Sequence, residues 1–311
     1  MDNPQADNEN EDTLALFQMV APERKEQLQE LWDRYTPSFC KGTDKTDFVF
    51  QANPMGFVVY TNRSILQVWL LSWVMWKELD CWSDYIEFFC KNGKAFIPSA
   101  LNVIPDQKQC YADADDLFAR AQLFVNSETV DWNLWPKSIP KPRDIVSIVE
   151  DIAVRDLLHF AIAFFLLHEF RHLCLHVDNE RPSSALDEEF ECDRWAAQYL
   201  LGCSDDYADW NGVDRIQVKS KRAMGVALGT AVMAHVQTLN LWKAGVDHPP
   251  LVDRMKRLAD IVDLSGHNNF WNVASSFLLA SLRRGDALPD RIEFRDYKDL
   301  FLQLLHPQAQ P

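Results

Sequence analysis

Two histidines four residues apart, with a glutamate beside the first, are the residues of this chain best suited to chemistry. His168-Glu169-Phe170-Arg171-His172 matches H-E-x-x-H inside the apolar run LLHFAIAFFLLHEFRHLCLH, residues 157–176, which reads as a buried helix. A helix turns every 3.6 residues, so His168 and His172 project from one face, one turn apart. That spacing lets two imidazoles grip one zinc ion while Glu169, one residue round, reaches a water beside it. The chemistry is hydrolysis, with the metal as electrophile and the glutamate as proton carrier. An accidental match on a core helix would look the same until a third ligand is found.

The next helix offers one. Ser183-Ser184 followed by Asp187 is a capping-box-like start and Gly202 a stop, so ALDEEFECDRWAAQYLL (Ala185–Leu201) is predicted helical. Glu189, Asp193, Ala196 and Leu200 share one inward face. Carboxylates on that face are costly to bury unpaired, and a zinc ion with its histidines removes the cost. Glu189 then completes a His2Glu set, and Asp193 orients a ligand histidine through its free ring N–H. Glu188 and Glu191 compete with Glu189 for the ligand position, while Asp178, Glu180, Asp187 and Glu188 also read as a solvated acidic face. Geometry sets the other histidines of the first helix aside. His159 lies about 900° of rotation before His168, on the opposite face, and His176 is roughly 12 Å further along the axis. Cys174 and Cys192, offset by about 200° from His172 and about 60° from Glu189, are expected as packing thiols.

These helices sit in a chain of 311 residues, 47% hydrophobic and 12% aromatic, which is the composition of a globular core. A net charge of −15 and a pI near 4.9 exclude a nucleic-acid footprint or a basic membrane patch. Seven cysteines, odd in number and without CxxC, and an acidic N-terminus unlike a signal peptide point to free thiols in a reducing cytoplasm. Residues 1–12 read as a disordered acidic tail, 13–142 as a helical and β part, and 143–311 as the helical part that holds the metal, the two parts forming one compact unit. Within the first part, residues 14–35 have helical spacing with Pro22 in a first turn. Residues 46–60 suggest a hairpin about Asn53-Pro54-Met55-Gly56, and 64–91 a long helix whose Trp69, Trp73 and Trp76 line a core. Residues 95–104 suggest a short strand, 112–124 a helix, and 129–142 a proline-rich loop. The metal helix is predicted over about 145–177. Residues 223–242 carry no charge and would be the only candidate membrane span. His235, Gln237, Asn240 and the close-packing pair Gly225 and Gly229 favour a buried helix instead. Two more helices follow in 269–305. The fold class is mainly α (α+β), with a small sheet in the N-terminal half.

H-E-x-x-H followed by E-x-x-x-D, Glu189 to Asp193, resembles the gluzincins, whose third zinc ligand is a glutamate on the second helix. The string EFECDRWA is similar to the E-x-x-x-D-x-x-A element of HtpX-like and CAAX-processing metallopeptidases. His248-Pro249-Pro250-Leu251-Val252-Asp253-Arg254 is similar to their H-P-x-x-x-x-R element, in the same order. Small size, acidic tail and aromatic first half look more like the phage-exclusion Lit peptidases of bacteria. The resemblance implies a gluzincin-like helical zinc domain and an intracellular endopeptidase with a protein substrate. It also implies abortive infection as the setting and a translation elongation factor as the target class. His248 and Arg254 enter on the same ground as catalytic residues that meet the oxyanion, with His235 as an outside candidate. Two readings from other classes stand beside it. Against a catalytically silent zinc-binding regulatory module speaks the intact Glu169; against a plain helical interaction protein speak Glu189 and Asp193 at matched spacing.

Overall fold

A computed structural model describes residues 4–43, 48–53, 55–127, 129–236 and 248–306. The acidic segment expected as a disordered tail is, from residue 4, the beginning of α1 (Pro4–Val20). The reason lies in its partners: Glu9 is buried, accepts the Tyr60 hydroxyl at 2.8 Å and pairs with Lys41 at 2.9 Å. Pro22 opens a 3-10 turn that leads into α2 (Lys25–Tyr35). Three short strands follow: β1 (Ser38–Lys41), β2 (Phe50–Ala52) and β3 (Phe57–Tyr60). β2 and β3 form the expected hairpin, closed by Asn53 N–H to the Phe57 carbonyl at 2.8 Å; Pro54 and residues 46–47 lie outside the described residues. β1 adds in parallel on the far side of β3, giving the order β1-β3-β2 and leaving β2 as an edge strand.

α3 (Asn62–Asn92) starts at Thr61, whose side chain accepts from Ser64 N–H, and stops at Gly93. With φ at +58°, Gly93 takes the left-handed conformation that a side chain resists. Trp69 and Trp73 are buried, as a core ladder should be. The strand expected over 95–104 is not formed. Only Phe96 bridges, antiparallel to Ile292, because Pro98 brings no amide to a ladder and opens a 3-10 turn instead. α4 (Pro105–Val125) then packs on α3. Cys81 and Cys110 are joined across these two helices, Cα–Cα 5.8 Å, which corrects the expectation that every thiol is free. The proline-rich segment crosses the surface without regular structure, pinned where Trp69 Nε1 donates to the Pro140 carbonyl.

α5 (Val149–Val177) carries the histidine pair and is buried on all sides over its middle turns, the mark of a central helix. α6 (Ala185–Leu201), capped by Ser184 as its sequence announces, lies on one side of it. α7 (Ser204–Asn211) turns the chain into α8 (Arg215–Val236), which lies on another. The α5–α8 seam is close because Gly225 has no side chain: a Cβ there would collide with Phe160 and come within 3.0 Å of the Leu157 carbonyl. The uncharged stretch is therefore a packed helix as far as residue 236, and residues 237–242 lie outside the described residues. No helix among the described residues is long and apolar enough to cross a membrane. α9 (Leu251–Ile261), α10 (Asn269–Arg284) and α11 (Tyr297–Leu304) complete the chain. α3 packs on α5, α8 and α10, so one apolar core runs from Phe17 to Leu305 across the boundary read at residue 142. The fold is mainly α, with its three-stranded sheet in the N-terminal half.

Candidate metal centre

α5 presents His168 and His172 one turn apart, with ring centroids 4.9 Å from each other and Nε2 atoms 3.1 Å apart. α6 crosses beside them and brings the Glu189 carboxylate within 3.3 Å of His172 Nε2 and 3.6 Å of His168 Nε2. The three ligand atoms all lie within 4.8 Å of one another. A tetrahedral site with donors at about 2.0–2.1 Å has edges of about 3.3 Å, so the spacing suits a zinc-sized ion. The donor set, two imidazole nitrogens and a carboxylate, could hold a metal ion.

Both rings are turned by contacts at their other nitrogen. Asp193 Oδ1 accepts from His168 Nδ1 at 2.9 Å, and Glu188 Oε1 accepts from His172 Nδ1 at 2.8 Å. Each Nε2 is thereby turned toward Glu189 and the other ring, where a bound metal would replace its proton. Asp193 is itself gripped by Arg254, whose Nε and Nη2 donate to its two oxygens at 2.6 Å each. Glu188 is held by Arg181 Nε at 2.8 Å.

The charge balance asks for a cation. Glu169, Glu188, Glu189 and Asp193 lie together, against the guanidinium groups of Arg254 and Arg181. Burial opposes charging His168, yet Asp193 and Glu189 outweigh it and push its pKa up to about 10. Glu189, despite the burial that favours its neutral form, is held far below the usual carboxylate range by His168, His172 and His248. Both shifts record one pairing, of the buried carboxylates with the imidazoles where the ligand atoms meet.

Glu169 stands beside the cluster and outside it, with Oε1 4.0 Å from His168 Nε2. Its Oε2 accepts the Ala52 amide at 2.7 Å, a donor on the outer edge of β2. Burial raises its pKa, with the two histidines acting in the opposite direction. His248 is half-exposed, with Nδ1 3.2 Å from Glu189 Oε2. These groups open onto a cleft of about 480 Å³ floored by α5 and walled by β2. A larger groove of about 920 Å³ lies on the far side of α6 and contains no histidine.

The remaining candidates separate clearly. Arg254 is buried with its fork taken up by Asp193. His235, the outside candidate for the oxyanion, is away from the cleft: it packs on Phe118 and meets Ser281 Oγ at 3.1 Å. Desolvation, with Arg284 nearby, lowers its pKa to about 3, so it stays neutral and partly buried beside Phe118. His159 stays apart from the site, and His176 is exposed in the last turn of α5. Cys174 and Cys192 are buried free thiols outside the ligand cluster. Sequence reading placed Glu188 as a rival ligand or on the solvated face and not as a histidine partner, and it missed Arg181 and the Ala52 amide altogether. A signal for Glu188 was present: a second ligand histidine needs an acceptor of its own.

Over 245 residues, 76% of this chain and 74% of the relative, the sequence is 24% identical to the cell death peptidase of Escherichia coli (strain K12). No solved structure matches the chain. Residues 58–274, which span the edge hairpin's second strand, both ligand helices and the His248–Arg254 element, match the Peptidase U49 family, and the protein therefore belongs to that family of peptidases.

Proposed function

We propose that the protein is a zinc-dependent endopeptidase whose metal is held by His168, His172 and Glu189. The observation that carries this is the meeting of two Nε2 atoms and one carboxylate beside a carboxylate that ligates nothing, Glu169. Zinc bound there supplies Lewis-acid polarisation of the scissile carbonyl and eases deprotonation of the attacking water. Glu169 takes that water's proton on Oε1, since Oε2 is engaged by the Ala52 amide, and returns it to the leaving amine. His248, half-exposed beside Glu189, donates to the developing oxyanion. Arg254 acts through Asp193, keeping His168 in its ligand orientation.

The match to a cell death peptidase and the resemblance to the Lit peptidases support a narrower reading. The substrate is a cytoplasmic protein of the translation elongation factor class, and cleavage limits phage growth by shutting down the infected cell. Purified protein incubated with such a factor should cut it at one site and contain one zinc per chain. Glu169→Gln should keep the zinc and lose cleavage by about 10²–10⁴-fold, the usual worth of a general base. Full activity in Glu169→Gln would remove the mechanism. An uncut elongation factor, alone and with phage lysate added, would remove the substrate assignment.

A further inference from the structure

The two ligand histidines are each held from behind, but only one holder follows from the helical pattern. Asp193 shares the inward face of Glu189; Glu188 is Glu189's immediate neighbour and, by periodicity alone, points about 100° away. It nevertheless reaches the site. Its side chain is only 6% exposed, and both oxygens are used: Oε1 on His172 Nδ1 and Oε2 on Arg181 Nε, each at 2.8 Å. Neither oxygen is among the converging ligand atoms. A buried carboxylate with two charge-assisted partners, one of them a ligand histidine, is not there as solvated surface.

We propose that Glu188, clamped by Arg181, is a positioning residue that fixes His172 for the metal. The proposal rests on the metal reading above and deepens it. As a charged acceptor, Glu188 keeps the proton of His172 on Nδ1, stops the ring from turning, and strengthens Nε2 as a donor. Arg181 gives the clamp a second anchor, because it lies in the connection between α5 and α6. That connection is tied to α2 at Asp178, which accepts from the Tyr35 hydroxyl at 2.6 Å and from Arg34 at 2.7 Å. Asn179, in the left-handed region at φ +55°, makes the turn that brings Arg181 back over α6. The support of His172 thus has an anchor outside the two ligand helices: Arg181 holds Glu188, and the connection that carries Arg181 is tied to α2 three residues earlier, at Asp178.

Zinc affinity, measured by competition with a chelator of known affinity, tests this on the full chain. Glu188→Ala should weaken zinc binding by about 10–100-fold, the range for a lost partner of a ligand histidine. Glu188→Gln, which keeps an oxygen acceptor, should recover most of that loss, and Arg181→Ala should fall between the two. Wild-type affinity in Glu188→Ala would overturn the proposal. So would Glu188→Gln binding as poorly as Glu188→Ala, since an oxygen acceptor on His172 Nδ1 would then not be what the site needs. His172→Ala separates this from failure of the site: lost zinc there, with Glu188→Ala unaffected, removes only the role of Glu188. Zinc kept in a His168→Ala/His172→Ala double variant removes the whole site.

Discussion

His168 and His172 leave the same helix and point at the same spot, yet they are supported in opposite ways. Behind His168 stand Asp193 and Arg254, side chains 4% and 7% exposed, joined through both carboxylate oxygens. Behind His172 stand Glu188 and Arg181, and Arg181 is 54% exposed with a single nitrogen engaged. The first support is part of the core and comes from α9; the second is at the mouth of the cleft and comes from a connection. Removing water from an ion pair makes its partners dependent on each other, whereas leaving one partner wet makes the pair weak and adjustable. One histidine is therefore fixed by folding, and the other by a contact that solvent can tune.

The largest test of that contrast is Arg254→Met beside Arg181→Met. Arg254→Met leaves the Asp193 carboxylate buried without its main partner and should cost about 3–5 kcal/mol of unfolding free energy. Arg181→Met should cost less than about 1 kcal/mol. Equal losses in denaturant titrations would abolish the distinction. A sharper version removes both ions of the buried pair: Asp193→Ala with Arg254→Met should be less destabilising than the sum of the singles by at least about 1 kcal/mol. Additive losses would mean that the two groups do not act as a pair. The smallest effect concerns salt. Raising ionic strength from 0.1 to 1 M shortens the screening length from about 10 to about 3 Å. In wild type this should weaken zinc affinity several-fold through the Arg181–Glu188 arm, and in Arg181→Ala that dependence should shrink. An unchanged salt dependence in Arg181→Ala would place the sensitivity elsewhere.

The contrast also follows what could be read from the chain. Periodicity within α5 and α6 suffices to set His168, His172, Glu189 and Asp193 on facing stripes, because one helix geometry fixes each pair. The Glu188–His172 contact depends on how the two helices cross, and no single-helix argument contains a crossing angle. The same limit explains α1. Its acidic residues read as a tail because the partners that order Glu9, Lys41 and Tyr60, lie 32 and 51 residues further on. His235 misled for the opposite reason: a polar residue in an apolar helix suggests a site, and here its partner is Ser281 in the core. Pro98 shows that a short apolar run between prolines says little about whether a partner strand will receive it.

The bond from the Ala52 amide to Glu169 has a consequence for how this chain can drift. Its donor is main chain, so every residue except proline supplies it equally well. Position 52 can change identity over generations while Glu169 keeps its anchor, and a comparison of letters will record a loss where the contact has none. What must be inherited is the path of the strand, not the residue on it.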